Sequence, residues 1–261
     1  MPKIKLILSY DGTDYCGWQK QKAHRHASAL PSLQETVEKA LETLLQHPVD
    51  LSASGRTDAG VHAVAQVAHF DTQSRLPKDL CWALRSRLPH SITAKAAFEA
   101  PREFHSTLSA VRKTYKYWIW NDPRPPALLW RYAWWVRQPL SVDFLNSCAR
   151  QIHGRHDFAS FRSMGTPVKH TVREIYRAEW TRRSPQLLQF IVTGNGFMKQ
   201  MVRNLVGTQV DLSLKAQPHE MMSEILKLQD RQKAGQAAPP QGLFLQKVYY
   251  PAALDKRCRD L

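Results

Sequence analysis

The residues with the clearest capacity for chemistry lie at positions 54–63, where the chain reads SGRTDAGVHA. Gly55 and Gly60 flank an Arg-Thr-Asp core and allow backbone angles that other residues avoid, so a tight turn can present Asp58 outward. A carboxylate on such a loop can act on a bound ligand, although aspartate in a turn is more often a turn former.

The neighbouring residues predict a strand on each side of this loop, over residues 49–54 and 61–70. The second segment carries apolar residues on both faces, which is typical of a central strand.

Charge indicates what this loop could act on. The chain has 261 residues, 43% of them hydrophobic, which is enough for a folded protein with a sizeable core. Its 37 Lys and Arg against 22 Asp and Glu give a net charge of +15. Ten basic and three acidic residues lie between Arg150 and Arg203. This excess favours a polyanionic partner, nucleic acid before a membrane surface, and its concentration predicts a binding face.

Several other classes of protein are disfavoured. No apolar run approaches the roughly 20 residues that span a bilayer, and the N-terminal residues indicate a strand rather than a signal peptide. The exposed loop predicted at residues 22–31 contains His24 and His26, which lack nearby partners for a metal site. The four cysteines form no Cys-x-x-Cys pair, so we expect neither a metal site nor disulfides, and a cytoplasmic location.

The order of predicted elements indicates an α+β fold. Residues 4–8 predict a strand, and Ser32 with Glu35 forms a capping box that opens a helix through Gln46. A second helix opens at residues 76–77 and a strand follows at 92–98, which completes a ferredoxin-like order. We therefore expect two ferredoxin-like halves, residues 1–105 and 106–261, that share a mostly antiparallel central sheet flanked by helices.

Two segments of the second half also carry candidate residues. The strand predicted at residues 111–120 interleaves basic and aromatic residues, including Tyr115 and Tyr117, which fits either core packing or a platform for stacked bases. Residues 194–207 predict an amphipathic helix that includes Phe197 and carries Arg203.

The unbroken string from Gly55 to His62 (GRTDAGVH) resembles the signature of the tRNA pseudouridine synthase A family. The opening YDGT with GWQ at residues 10–19, and the segments 154–161 and 238–249, resemble further family motifs in the expected order. The resemblance covers residues 10–249 and implies the pseudouridine synthase fold.

The resemblance also implies a function. The chain would be an isomerase that converts uridine to pseudouridine in the anticodon stem-loop of tRNA, at positions 38, 39 and 40, without cofactor or metal. Asp58 would be catalytic and paired with Arg203, Tyr115 would lie beside the uracil, and Tyr117 would be structural. Arg56 could fill the space left by the flipped base or hold a phosphate. The family also leads us to expect a homodimer and no membrane partner.

Some alternatives stay open at this point. Asp58 could attack C1′ or the base, or remove the 2′ proton. A non-catalytic RNA-binding protein would suit the basic face equally, but the intact loop argues against it. A glycosidase or nuclease normally needs a second carboxylate or a metal cluster, and no second carboxylate is near Asp58 in the sequence.

The chain departs from the family pattern at two places. Ser106-Thr107-Leu108 stands where the family usually has Ala-Arg-Phe, and Arg85 stands where an Asn is common. Both changes concern expected RNA contacts rather than the reaction.

Overall fold

The computed structural model describes residues 1–20, 30–165 and 168–261, which form two compact units. The first unit contains Met1–Val111 and Leu245–Leu261, and the second contains Arg112–Phe244. The division expected after residue 105 placed the C-terminal residues in the second half, whereas they pack with the first unit. His24 and His26 lie outside the described residues.

The first unit has a ferredoxin-like arrangement. Its elements are β1 (Lys3–Tyr10), α1 (Leu33–Leu45), β2 (Ser52–Ala53), β3 (His62–Asp71), α2 (Leu80–Arg85) and β4 (Ile92–Ala100). The strands pair antiparallel in the order β4-β1-β3-β2. This order agrees with the prediction for the N-terminal half.

Local signals explain the helix starts. The Ser32 hydroxyl accepts a hydrogen bond from the backbone N–H of Glu35 (3.2 Å), as the capping box predicts. The second helix was predicted to begin at residues 76–77, but it begins at Leu80. The reason is a cap at Asp79, whose carboxylate accepts from the N–H of Trp82 at 2.8 Å.

The core of the first unit includes residues of β1 and α1. Ile4, Leu6 and Leu8 of β1 are fully buried, as are Val37 and Leu41 of α1. The strand β3 is buried on both faces over most of its length, in agreement with its predicted central position.

The second unit also combines antiparallel strands with helices, but it has additional short elements. It contains β5 (Arg112–Asn121), β6 (Trp134–Val136), α3 (Val142–Gln151), β7 (Gly154–Asp157), β8 (Val172–Arg182), β9 (Leu187–Gly194), α4 (Met201–Leu214) and α5 (Met221–Leu228). The order β5-β9-β8-β7 is antiparallel throughout, and β6 pairs with β5 in parallel. In the described part of this unit, single-turn 3-10 helices lie at Ala159–Phe161, Arg231–Lys233 and Pro240–Gly242.

The helix predicted at residues 194–207 begins later than expected. The helix α4 starts at Met201, after Gln200 with a left-handed φ of 57°. Phe197 therefore lies in the turn before the helix rather than on its apolar face.

The chain returns to the first unit within β10 (Leu243–Tyr249), which lies beside β3. The short helix α6 (Ala252–Asp255) and β11 (Arg259–Asp260) follow, and β11 pairs with β4. Asp255 forms an ion pair with the buried Lys5 at 2.7 Å. The ammonium group also lies within 5.4 Å of three aromatic ring centroids, those of Phe98, Phe104 and Tyr250.

The α+β class and the mostly antiparallel pairing are thus confirmed. In the described ranges no helix combines the length and the apolar character that a membrane crossing needs.

Candidate active site

Asp58 lies on the loop that joins β2 to β3, and it is half-buried. The carbonyl of Asp58 accepts a hydrogen bond from the N–H of Val61 (3.2 Å), which closes a tight turn. Gly60 occupies this turn with φ of 74°, a conformation that glycine adopts without strain. Arg56, two residues before Asp58, is exposed.

The loop is held from one side by the segment that follows β1. The N–H of Trp18, a buried residue, donates to the carbonyl of Thr57 at 3.0 Å, and the hydroxyl groups of Tyr10 and Thr57 are 2.9 Å apart. Gly17 has φ of 109°, and a Cβ atom at this position would lie 2.8 Å from the Thr57 carbonyl oxygen. Residues 17–18 therefore fix the residue next to Asp58. The indole of Trp18 is buried, and its backbone forms part of the support for the loop.

A buried polar network lies beneath the loop. Gln66 of β3 accepts from the Ser54 hydroxyl (2.7 Å), and its amide donates to the Gly55 carbonyl (2.8 Å). Ser54 and Gln66 are fully buried. Burial raises the pKa of the nearby Tyr10 to about 12, so this hydroxyl stays protonated over the physiological range. The start of the loop is thus fixed by side chains of β1 and β3.

A second close contact fixes the end of the loop. The N–H of Gly12 donates to His62 Nδ1 at 3.1 Å, and a Cβ atom on Gly12 would lie only 2.1 Å from the Val61 carbonyl oxygen. The turn after β1 therefore packs against the backbone just beyond Gly60. Glycine is required there by the close approach of two backbones.

The triplet at residues 106–108 has a role that the sequence did not reveal. The hydroxyl of Thr107 donates to the Ala53 carbonyl (2.6 Å), and that of Ser106 donates to the Ser52 carbonyl (2.8 Å). Both carbonyls belong to β2, which leads into the Asp58 loop. Leu108 is 81% exposed. In this chain the triplet therefore supports β2 through its first two residues.

Tyr115 and Tyr117 occupy alternate positions of β5 in the second unit. Tyr115 is 9% exposed and its ring packs edge-on against Phe197 with centroids 5.1 Å apart. Tyr117 is fully buried and donates its hydroxyl to the Pro239 carbonyl at 2.7 Å. Tyr117 thus has the structural environment expected for it, whereas Tyr115 keeps a small exposed fraction.

Arg203 lies in the first turn of α4 and is half-buried. Its Nε donates to the Ala238 carbonyl at 2.7 Å, and its own carbonyl accepts from the N–H of Ala238 at 3.0 Å. Burial raises the pKa of Tyr117 well above its ordinary value, and the positive charge of Arg203 opposes this rise. The arginine is thus fixed within the second unit by residue 238 and lies electrostatically close to Tyr117.

Lys113 was not singled out from the sequence as a candidate. It lies on β5 two residues before Tyr115 and pairs with Gly194 of β9. Burial, together with the charge of Arg173, lowers the pKa of Lys113 to about 8. The interleaved basic and aromatic residues of this strand were the available signal, but burial of the ammonium group depends on tertiary packing.

Two of the predicted site residues, Arg56 and Asp58, share one loop of the first unit, and Tyr115 and Arg203 belong to the second. Among residues 1–20, 30–165 and 168–261, no three His, Cys, Asp or Glu side chains form a group that could hold a metal ion.

Seven of the ten basic residues between positions 150 and 203 are exposed, and three are half-buried. Some exposed members make local contacts. Arg177 forms an ion pair with Glu179, and Arg182 donates to the carbonyls of Pro185 and Leu140. The positive charge is therefore available to solvent over much of this segment.

The sequence matches a family model described as tRNA pseudouridine synthase over residues 6–107 and 148–251. Arg56, Asp58 and Arg203 lie inside the matched segments, and Tyr115 lies between them. A solved structure of a Cbf5-Nop10-Gar1 complex resembles the chain with a TM-score of 0.38 at 10% identity, over 93% of this chain and 48% of that chain.

Two curated relatives are named tRNA pseudouridine synthase A. The protein of Bdellovibrio bacteriovorus is 52% identical over 99% of both chains. That of Moorella thermoacetica is 41% identical over 96% of this chain and 100% of the relative. A family model that matches most of the chain, and relatives this similar over nearly its full length, establish that the chain belongs to the tRNA pseudouridine synthase A family, a family of isomerases.

Proposed function

We propose that the protein converts uridine to pseudouridine in the anticodon stem-loop of tRNA, at positions 38, 39 and 40, with Asp58 as the nucleophile. The observation that carries the proposal is the intact GRTDAGVH string on a loop whose backbone is fixed from both ends. Asp58 is half-buried on that loop, so it keeps some exposure through which a ligand can contact it.

The proposed reaction is balanced without a second substrate. The N1–C1′ bond breaks, the uracil turns, and a C5–C1′ bond forms. C5 loses its proton and N1, which carries none in uridine, gains one, so the product is an isomer of the substrate. A carboxylate nucleophile can form a covalent intermediate, which stabilises the state in which the uracil is no longer bonded to C1′ through N1. The proposal therefore includes no cofactor and no metal.

Tyr115 is proposed to stack on the target uracil. Its ring packs edge-on against Phe197, which supports a fixed orientation for the ring. The base must leave its stack to be reached, at a cost of a few kcal/mol. A fixed aromatic surface would offset part of this cost and restrain the base while it is detached.

Arg203 is proposed to supply the positive charge that keeps Asp58 ionised and oriented. Its contacts with Ala238 through both Nε and the main chain support a defined position for the guanidinium group. Arg56 is proposed to fill the space that the flipped base leaves or to bind a phosphate, and its exposure suits either role.

The charge distribution supports an RNA substrate. The net charge is +15, and most basic residues of the segment 150–203 are exposed. Such a surface binds a phosphate backbone because its Lys and Arg side chains displace the cations condensed on the RNA.

We further propose that the protein acts as a cytoplasmic homodimer. Sedimentation at micromolar concentration should give twice the mass of one chain, and a single-chain mass would contradict this part.

Tritium release from tRNA carrying 5-³H-uridine tests the function, because only formation of the C5–C1′ bond displaces the C5 proton. The wild-type protein should release tritium and form pseudouridine at positions 38 to 40. Asp58→Asn should lower the rate about a thousandfold or more and leave tRNA affinity within a few-fold.

Asp50→Asn is the matched control, since Asp50 is an exposed carboxylate shortly before β2. It should retain the wild-type rate. Binding of tRNA without tritium release by the wild type would indicate a non-catalytic RNA-binding protein. Release of free uracil would indicate a glycosidase, and near-normal turnover by Asp58→Asn would remove this residue from the mechanism.

A further inference from the structure

The first unit contains a concave site of about 430 Å³ beside α2, lined by residues between Asp79 and Ala94. Its lining includes Trp82 and Arg85 of α2, His90, and the first two residues of β4, Ile92 and Thr93. This volume lies within the range of roughly 300–1,000 Å³ that is usual for ligand pockets.

Trp82 has an unusual environment for a large aromatic residue. Its side chain is 66% exposed, although its backbone N–H is fixed by the carboxylate of Asp79 at 2.8 Å. A single exposed aromatic residue is common on protein surfaces and is not by itself a binding site. Here, however, the indole borders a concave surface and has a cationic neighbour.

Arg85 lies one helical turn after Trp82, and its guanidinium carbon is 5.0 Å from the indole centroid. At this distance the guanidinium group is attracted to the face of the indole. No ion pair joins Arg85 to a carboxylate in the described parts of the chain. Its donors are therefore not neutralised by an acidic side chain.

The surrounding sequence is also basic. Residues 75–95 contain five Lys and Arg and one acidic residue, Asp79, which caps α2. All five basic residues are exposed. Arg85 is the one of these five that lines the site, and Asp79 also lines it with its carboxylate bonded to the Trp82 N–H. The donors of Arg85 therefore favour an anion, and the flat indole surface favours an aromatic group.

We propose that this site binds an unpaired nucleotide of the tRNA substrate, with its base stacked on Trp82 and a phosphate on Arg85. The proposal rests on the proposed function only in taking tRNA as the RNA. Every base has a flat aromatic face, and a planar guanidinium group can donate two hydrogen bonds to one phosphate. A second copy of the chain suits the site less well, because a two-fold interface would bring two basic surfaces together.

The test measures the dissociation constant of an unmodified tRNA transcript by filter binding, and the single-turnover rate at saturating tRNA. Trp82→Ala should weaken binding about 5- to 20-fold, and Arg85→Asn about 3- to 10-fold. Trp82→Phe should bind within about twofold of the wild type because it keeps an aromatic surface. The loss should appear in the dissociation constant, and Arg87→Ala, outside the site, should keep the wild-type single-turnover rate.

Arg87→Ala is the matched control. Arg87 is an exposed arginine of the same segment that donates to the Ala83 carbonyl (3.0 Å) and does not line the site. Its loss should change the dissociation constant by no more than about twofold. Thermal melts accompany each variant, and if Trp82→Ala is unfolded, Arg85→Asn decides the question.

Wild-type affinity of folded Trp82→Ala, or of Arg85→Asn, would overturn the proposal. So would a drop in sedimenting mass of Trp82→Ala at unchanged tRNA affinity, which would identify a second copy as the occupant. Loss of binding by Trp82→Ala while the wild type forms no pseudouridine would leave the nucleotide site standing and refute the proposed function. Normal binding by this variant, with normal turnover by the wild type, would refute the site alone.

Discussion

Gly17 is the position where one added methyl group should disturb the Asp58 loop most directly. In Gly17→Ala, the new Cβ would lie 2.8 Å from the Thr57 carbonyl oxygen and 3.2 Å from the Asp58 carbonyl carbon. Both atoms belong to the backbone, so no side-chain rotation can relieve the contact. The loop or the Gly17 turn must move by several tenths of an ångström.

The expected cost has two parts. A left-handed φ of 109° costs an alanine about 1–2 kcal/mol, and the close contact adds roughly 1–3 kcal/mol. Gly154 is the matched control because it has φ of 94° and its nearest atom, His156 Nε2, would lie 3.8 Å from an added Cβ. Gly154→Ala should therefore show only the first part, about 1–2 kcal/mol.

Urea unfolding and single-turnover tritium release measure the two consequences. Gly17→Ala should unfold more easily than Gly154→Ala by about 1–3 kcal/mol. Its turnover should fall about 100-fold, because a small displacement of a reacting group has a large effect on rate. Gly154→Ala should keep the wild-type rate. Equal stability losses and normal rates in both variants would show that Gly17 does not position the loop.

Three further outcomes are expected. Folded Arg203→Met should lower the single-turnover rate at least about 100-fold with tRNA affinity within a few-fold, and a normal rate with weak binding would make Arg203 a phosphate contact. The logarithm of tRNA affinity should fall with the logarithm of salt concentration with a slope of roughly −4 to −7, for about 5 to 8 phosphate contacts, whereas a slope near zero would contradict the proposed basic surface. Burial lowers the pKa of His69 to about 4, so its contribution to stability is present above about pH 6.5 and is lost as the pH falls toward 4. Urea titrations of His69→Gln over this range should show a flatter loss of unfolding free energy, by on the order of 1 kcal/mol, and an unchanged slope would refute the assignment.

The elements that could be predicted are those specified by neighbouring residues. The start of α1 follows from Ser32 and Glu35, and the central position of β3 follows from apolar residues on both of its faces. The start of α4 could not be predicted from neighbouring residues. Phe197 has helical spacing, but it packs on Tyr115 in the turn before the helix, and this contact joins residues 82 positions apart. Tertiary packing therefore overrides the local period.

The candidate site shows the same difference. The Asp58 loop is a contiguous string and is visible in the sequence, whereas the groups that hold it are not. The N–H of Trp18 and the amide of Gln66 reach Thr57 and Gly55 from other elements. The hydroxyl of Thr107 reaches Ala53 across 54 positions. None of these hydrogen bonds joins residues at a characteristic sequence spacing. A motif can therefore identify the loop but not the groups that hold it in place.

The discontinuous first unit has a consequence for synthesis. Residues 1–111 leave the ribosome early, yet β10, α6 and β11 reach them only when residues 245–261 have been made. At about 5–20 residues per second, the interval from residue 111 to residue 261 lasts roughly 8–30 s. During this time β3 lacks its β10 partner and the Lys5 ammonium lacks both Asp255 and the Tyr250 ring. The nascent N-terminal half therefore carries an unpaired strand edge, which can pair with another chain until β10 is made.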